Sequence, residues 1–292
     1  MNLRRGLGIP LRNFDVMPAD SRPIGVFDSG IGGLTVLKHL MQRMPHERFI
    51  YLGDTARVPY GNRSAETVKL YARQCAAFLL QHDVKMIVVA CNTVSAIALD
   101  DLRAHMSIPV VGVIEPAARV AAMTTISKHI GVIGTRATIA SEAYAKSIAA
   151  VGGSSLFVHS RSCPLLVPLI EEGWLDTAAT RAIIDEYLRP LTAQHIDTLV
   201  LGCTHYPLLS PVLADMYPEL KLVDCGACTA DVAAALIGDR PDDVPSIPSV
   251  DIYVTDMTPM FTLVARQFLG KPVNDPVVVS VDSLAIHREA YS

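Results

Sequence analysis

Short aliphatic runs alternate with longer helix-like stretches along this chain, and that alternation constrains the fold more than any other feature. Residues 24–28, 48–52, 85–90, 109–113, 129–133 and 197–201 are dominated by β-branched and aliphatic side chains, with little polar alternation. Runs of this kind suit parallel strands covered by helices on both faces. Each is followed by a loop and then a segment of helical spacing, as where Ser64 stands ready to cap a helix reaching about His82. The pattern predicts an α/β protein of βαβ units around mainly parallel sheets. In such sheets ligands collect at the carboxyl ends of the strands.

The pattern also repeats. Ile24-Gly25-Val26-Phe27-Asp28 is echoed by Ile130-Gly131-Val132-Ile133-Gly134, 106 residues later. Val88-Val89-Ala90-Cys91-Asn92-Thr93 is echoed by Val200-Leu201-Gly202-Cys203-Thr204-His205, 112 residues later. The near-constant offset predicts an internal duplication, giving two pseudo-symmetric domains with the active site between them. A length of 292 residues suits two such cores. In the second cycle, 134–141 reads as a loop, 142–151 as a helix, and 155–159 and 221–224 as strands. A helix-like 227–237 follows. One clear strand (251–255) and one helix (259–269) then remain, and they are expected to pack back on the first half. The expected division is therefore a flexible extension at 1–21, a discontinuous first domain at 22–116 plus 227–292, and a second domain at 117–226.

Composition narrows the function classes. A net charge of −4 and a pI near 6.1 give no general electrostatic case for nucleic acid. The apolar runs are far too short to span a bilayer, so no membrane partner is expected. Residues 1–22 hold Arg4, Arg5, Arg12 and Arg22 but no continuous apolar core of a signal peptide. Six irregularly spaced cysteines in a large apolar chain do not form a disulfide framework. A reducing cytoplasm is the expected setting, and it keeps thiols available.

Cys91 and Cys203 each end a buried strand. A lone cysteine there more often packs than reacts. The flanks Asn92-Thr93 and Thr204-His205 alter the balance, because they put polar donors beside each thiol at the entry to a helix, where thiolates and carboxylates are favoured. Neither thiol has the neighbours of a zinc site, and Cys225-x-x-Cys228 lacks a second pair. Asp28-Ser29-Gly30 with Gly32-Gly33 ends the first strand. Asp28 reads either as a turn residue or as a carboxylate that orients a thiol or an ammonium group. The glycine spacing is not a dinucleotide fingerprint. His205 either caps the next helix or stabilises the neighbouring thiolate. By pattern alone Glu171 is an ordinary surface helix residue, and Gly53-Asp54-Thr55 and Pro59-Tyr60-Gly61 are turns.

Six segments in order resemble the glutamate racemases of the aspartate/glutamate racemase superfamily, over roughly residues 22 to 270. They are Gly25-Val26-Phe27-Asp28-Ser29-Gly30-Ile31-Gly32-Gly33-Leu34, Leu52-Gly53-Asp54-Thr55-Ala56-Arg57-Val58-Pro59-Tyr60-Gly61, Ala90-Cys91-Asn92-Thr93, Gly131-Val132-Ile133-Gly134-Thr135, Cys163-Pro164 with Val167-Pro168-Leu169, and Leu201-Gly202-Cys203-Thr204-His205-Tyr206-Pro207-Leu208. Aspartate racemases usually carry Gly-Cys-Thr-Glu at the second thiol, so His205 and Tyr206 favour glutamate. The chain departs from the family at Cys225-Gly226, where a small residue and Ala are usual.

The resemblance implies a racemase that needs no cofactor and no metal, interconverting L- and D-glutamate to supply D-glutamate for peptidoglycan. It implies that Cys91 takes the α-proton from D-glutamate and Cys203 takes it from L-glutamate. Asp28 and His205 match the residues assisting these thiols, and Glu171 a further acid near the site. Asp28, Ser29, Tyr60, Gly61, Asn92, Thr93, Thr204 and His205 match substrate contacts, and Thr135 and Thr138 are expected at the carboxylate pocket. A homodimer is expected by resemblance only. The alternatives are racemisation of aspartate or another amino acid, and a non-catalytic amino-acid-binding relative.

Overall fold

The computed structural model describes residues 20–237, 249–257, 261–270 and 275–284. Most of the expected extension, the segment 238–248 and the first two residues of the helix expected at 259–269 lie outside the described residues.

Ten strands are present among the described residues: β1 (Ile24–Asp28), β2 (Arg48–Gly53), β3 (Met86–Val89), β4 (Val110–Gly112), β5 (His129–Gly134), β6 (Phe157–Ser162), β7 (Thr198–Gly202), β8 (Lys221–Asp224), β9 (Ser249–Val254) and β10 (Val277–Val278). They form two sheets, ordered β10-β9-β2-β1-β3-β4 and β6-β5-β7-β8, and every pairing is parallel. The α/β architecture expected from the sequence is the one observed. The order β2-β1-β3-β4 recurs in β6-β5-β7-β8, so each sheet reverses its winding direction beside its first strand. A crevice opens at such a switch point, outside the carboxyl ends of the strands. β9 and β10 extend the first sheet beyond β2.

Period-two alternation sends neighbouring residues of a strand to opposite faces. In β1, Ile24 and Val26 join a core that also takes in Ile130, Val132 and Leu199 of the second sheet. Phe27 joins a separate core with Val68, Leu79 and Val89. The first core therefore runs from one sheet to the other. Between the sheets, helix Ile114–Thr124 packs on Ala143–Gly152, and Cys225–Ile237 packs on both Leu34–Arg43 and Ile114–Thr124.

Local differences from the sequence reading have physical causes. Within the expected loop at 134–141 there is a short helix, Arg136–Ala140, started by Thr135, whose hydroxyl accepts from the Thr138 N–H. Five residues are too few to show a helical period. The strand expected at 155–159 lies instead at Phe157–Ser162, on a sheet edge whose exposed and half-buried side chains remove the aliphatic signal. The helix expected from 227 starts at Cys225. The two-residue β10 is exposed and carries no pattern at all.

Candidate active site

Cys91 follows β3 and caps the helix Asn92–Ile97, which puts its thiol beside the end of β1. It is 5% exposed, and its Sγ donates to Ser29 Oγ at 3.4 Å. Burial, reinforced by the negative charge of Asp28, pushes this thiol up to about 12. Cys91 is therefore protonated at neutral pH. Asp28 ends β1, and its Oδ2 accepts from the Gly30 N–H at 3.0 Å. Its Oδ1 is buried without a hydrogen-bond partner. Burial raises its pKa, against the opposing influence of His205 and the backbone N–H groups of Gly33, Gly30 and Ser29.

Cys203 follows β7 at the equivalent point of the second sheet. Its Sγ is 3.9 Å from His205 Nδ1, and His205 Nε2 lies 2.9 Å from Glu171 Oε1. Burial opposes a charge on His205. Hydrogen bonding to Cys203 and Glu171 outweighs that penalty and raises the imidazole to about 10. At neutral pH the ring is thus an imidazolium, held between a carboxylate and a thiol. Phe268, from the helix Phe261–Leu269, meets the ring edge-on with centroids 5.0 Å apart. Thr35 from the first half donates to the Thr204 carbonyl at 2.8 Å. The approach is so close that a Cβ on Gly32 would stand 2.3 Å from Thr204 Oγ1 and 2.5 Å from the His205 ring.

Between the two thiols lies a cavity of about 760 Å³ lined from both halves. Ser29, Tyr60, Gly61, Cys91, Asn92, Thr93, Thr135, Glu171, Cys203, Thr204 and His205 all border it. Thr93 Oγ1 lies 3.0 Å from Thr135 Oγ1, which lies 2.9 Å from Thr138 Oγ1, so three hydroxyls cluster where the halves meet. Two expected residues stop short of the cavity. Asp28 stands behind Ser29 and Gly30, and Thr138 behind Thr93 and Thr135. Tyr60 borders the cavity, but its hydroxyl donates to Asp54, which also accepts from Arg57 and Thr255. Among the described residues no group of three or more His, Cys, Asp and Glu is arranged to hold a metal ion.

A profile of the Asp/Glu/Hydantoin racemase family matches residues 34–233. The glutamate racemase of Syntrophus aciditrophicus is 48% identical over 254 residues, covering 85% of this chain and 93% of the relative. That of Geobacter metallireducens is 47% identical, covering 90% and 98%. The crystal structure of the Francisella tularensis glutamate racemase in complex with D-glutamate superposes with a TM-score of 0.82 at 38% identity, covering 91% of this chain and all of the other. The chain belongs to the Asp/Glu/Hydantoin racemase family.

Several residues that shape this racemase's cavity were invisible in its sequence. By its own pattern Glu171 reads as surface, and only the family resemblance put it near the site; it grips His205 because the helix Leu166–Glu171 follows β6 back across the mouth of the crevice. Phe268 and Gln267 reach the site from the far C-terminal helix. Tyr144 donates to Asn92 Oδ1 at 2.6 Å from the second half. None has a local signal. The one available hint was the glycine pair Gly32-Gly33 after the first strand, since missing side chains permit close approach. No helix among the described residues is long and apolar enough to cross a membrane.

Proposed function

We propose that this racemase interconverts L- and D-glutamate by a two-base transfer between Cys91 and Cys203. The observation that carries the reading is that both thiols border one cavity from opposite halves, each with its own charged companion. Its relatives, named glutamate racemases at 47–48% identity, support glutamate as the substrate.

Inverting a stereocentre with one base requires that base to reach both faces; two bases on opposite walls avoid this. For L-glutamate, a Cys203 thiolate removes the α-proton and becomes a thiol. The electron pair left at the α-carbon is protonated on the opposite face by the Cys91 thiol, which becomes a thiolate. No proton is gained or lost overall, and the reverse sequence converts D-glutamate to L-glutamate. The starting charges suit this direction. Cys91 holds its proton because it is buried beside Asp28, and the His205 imidazolium stands where it can stabilise a thiolate formed at Cys203. Asp28 assists Cys91 through its charge, which helps keep the thiol protonated until it delivers its proton. Glu171 keeps His205 protonated and oriented.

The weakly acidic α-proton demands a site that stabilises the carbanion without bulk water. The hydroxyls of Thr93 and Thr135, with Ser29, Asn92 and Thr204, offer fixed dipoles to the two carboxylates. Tyr60 and Gly61 bound the site on the first-half side, Tyr60 by its ring. Thr138 orients Thr135. The proposal extends to a cytoplasmic homodimer, to the division at 22–116 plus 227–292 and 117–226, and to use of the D-glutamate in peptidoglycan.

The test is solvent deuterium exchange at Cα of each enantiomer, with Cys91→Ser and Cys203→Ser made separately. Neither variant should racemise. Cys203→Ser should lose exchange on L-glutamate, and Cys91→Ser on D-glutamate. Near-normal turnover in either variant refutes the two-thiol mechanism, and turnover of aspartate in preference to glutamate refutes the substrate.

A further inference from the structure

Asn92 is 2% exposed and borders the cavity, yet its Nδ2 has no hydrogen-bond partner. The other atom of the amide is held. Tyr144, from the helix Ala143–Gly152 of the second half, donates its hydroxyl to Asn92 Oδ1 at 2.6 Å. A phenol carries a single proton. With that proton committed to Asn92, the 2.9 Å contact between Tyr144 Oη and Cys225 Sγ needs the thiol as donor. Cys225 is buried, and its thiol also donates to the Leu201 carbonyl at 3.2 Å, so its one proton is shared between Leu201 and Tyr144; burial keeps the thiol protonated.

We infer that Tyr144, backed by the Cys225 thiol, is a positioning residue that fixes the Asn92 amide with its NH2 as a donor to a substrate carboxylate. The inference rests on the reading of Asn92 as a substrate contact. An unpaired buried donor is costly until an acceptor arrives, and an NH2 group has no lone pair to offer an ammonium. Asn92 precedes Thr93 in the chain, and the Thr93 hydroxyl meets those of Thr135 and Thr138, which are further donors for an anion. The opposite proton order would reverse the polarity. Asn92 would then donate to Tyr144, Tyr144 to Cys225 and Cys225 to Leu201, turning a carbonyl toward the substrate ammonium. The relay therefore decides which charged end of an amino acid the residue beside Cys91 accepts.

The experiment is steady-state racemisation of L- and D-glutamate by circular dichroism, with thermal melting of every variant. Tyr144→Phe, which keeps the buried ring, should raise KM about tenfold and change kcat less than about threefold. Asn92→Ala should raise KM at least as much, and the double variant should be no worse than Asn92→Ala alone. Equal factors for Tyr144→Phe in the two backgrounds would mean that it acts elsewhere, and would overturn the inference. Asn92→Asp keeps the acceptor for Tyr144 but loses the donor, so its KM should rise strongly; a near-normal KM overturns the assigned polarity. If Tyr144→Phe folds poorly, Cys225 supplies the reading. Cys225→Ser should retain the wild-type KM and Cys225→Ala should not, and equal values for the two overturn the thiol's part. An unchanged KM in Asn92→Ala, by contrast, removes Asn92 as a substrate contact altogether and is recognisable as that failure.

Discussion

Gly32→Ala is the sharpest test of how the two halves meet. Gly32 is outside the left-handed region, so alanine fits its backbone without strain. The effect must come from contact alone. Ordinary van der Waals contact for a Cβ begins near 3.4 Å, and the new methyl would stand 2.3 Å from Thr204 Oγ1 and 2.5 Å from two His205 ring atoms. The Cys203-Thr204-His205 loop must therefore retreat by about 1 Å. It has nowhere easy to go, because Glu171 holds the far nitrogen of the ring and Phe268 lies against its edge. Overpacking of this kind costs roughly 1–3 kcal/mol, against about 0.4–1 kcal/mol gained by stiffening the unfolded chain. The net loss of stability should stay below about 3 kcal/mol, so the enzyme should still fold. The activity change should be large, since a displacement of about 1 Å in a reacting group can cost about 100-fold. Racemisation at saturating L-glutamate, followed by circular dichroism beside a urea-unfolding midpoint, separates the two effects. Gly61→Ala is the internal comparison. Its methyl would lie 3.2 Å from Thr135 Cβ, asking the neighbour to yield only a few tenths of an ångström, and its loss should stay under roughly tenfold. A folded Gly32→Ala enzyme with activity within about threefold of wild type would refute the argument that this contact sets the position of the Cys203 loop.

Further outcomes follow from the charges and packing of the site. His205 is raised from 6.5 to about 10 in the folded protein. Its charge therefore contributes stability that is complete below about pH 6.5 and lost as pH rises through about 10. The stability difference between wild type and His205→Asn, measured by urea unfolding, should shrink across that interval; a difference that grows with pH contradicts the assignment. Glu171→Gln keeps the shape but removes a charge that favours the imidazolium, so the alkaline fall of kcat should move to lower pH, and an unmoved pH–rate profile would show that Glu171 does not act through His205. Phe268→Ala empties a site that is 1% exposed, and should cost about 3–5 kcal/mol of stability by chemical denaturation. A cost under about 1 kcal/mol would mean that the C-terminal helix is not anchored by this ring.

The sequence on its own determined the α/β class, the strand ends that carry both thiols, and the position of Asp28 at the end of β1. These are local properties, since a strand's pattern states where it stops and which residue comes next. It also displayed a repeat whose physical counterpart is the shared order β2-β1-β3-β4 and β6-β5-β7-β8. Tertiary structure alone decided the long-range contacts that hold the loops of each thiol. Glu171 meets His205 across 34 residues of sequence, Tyr144 meets Asn92 across 52, and Thr35 meets Thr204 across 169. It also decided that Asp28 and Thr138 stand behind the cavity wall and that the Tyr60 hydroxyl turns to Asp54. Periodicity tells which face of an element is buried, but not which distant element will cover it. That choice is made only when the two sheets pack through a shared core, and the chemistry of this site lies along the resulting seam.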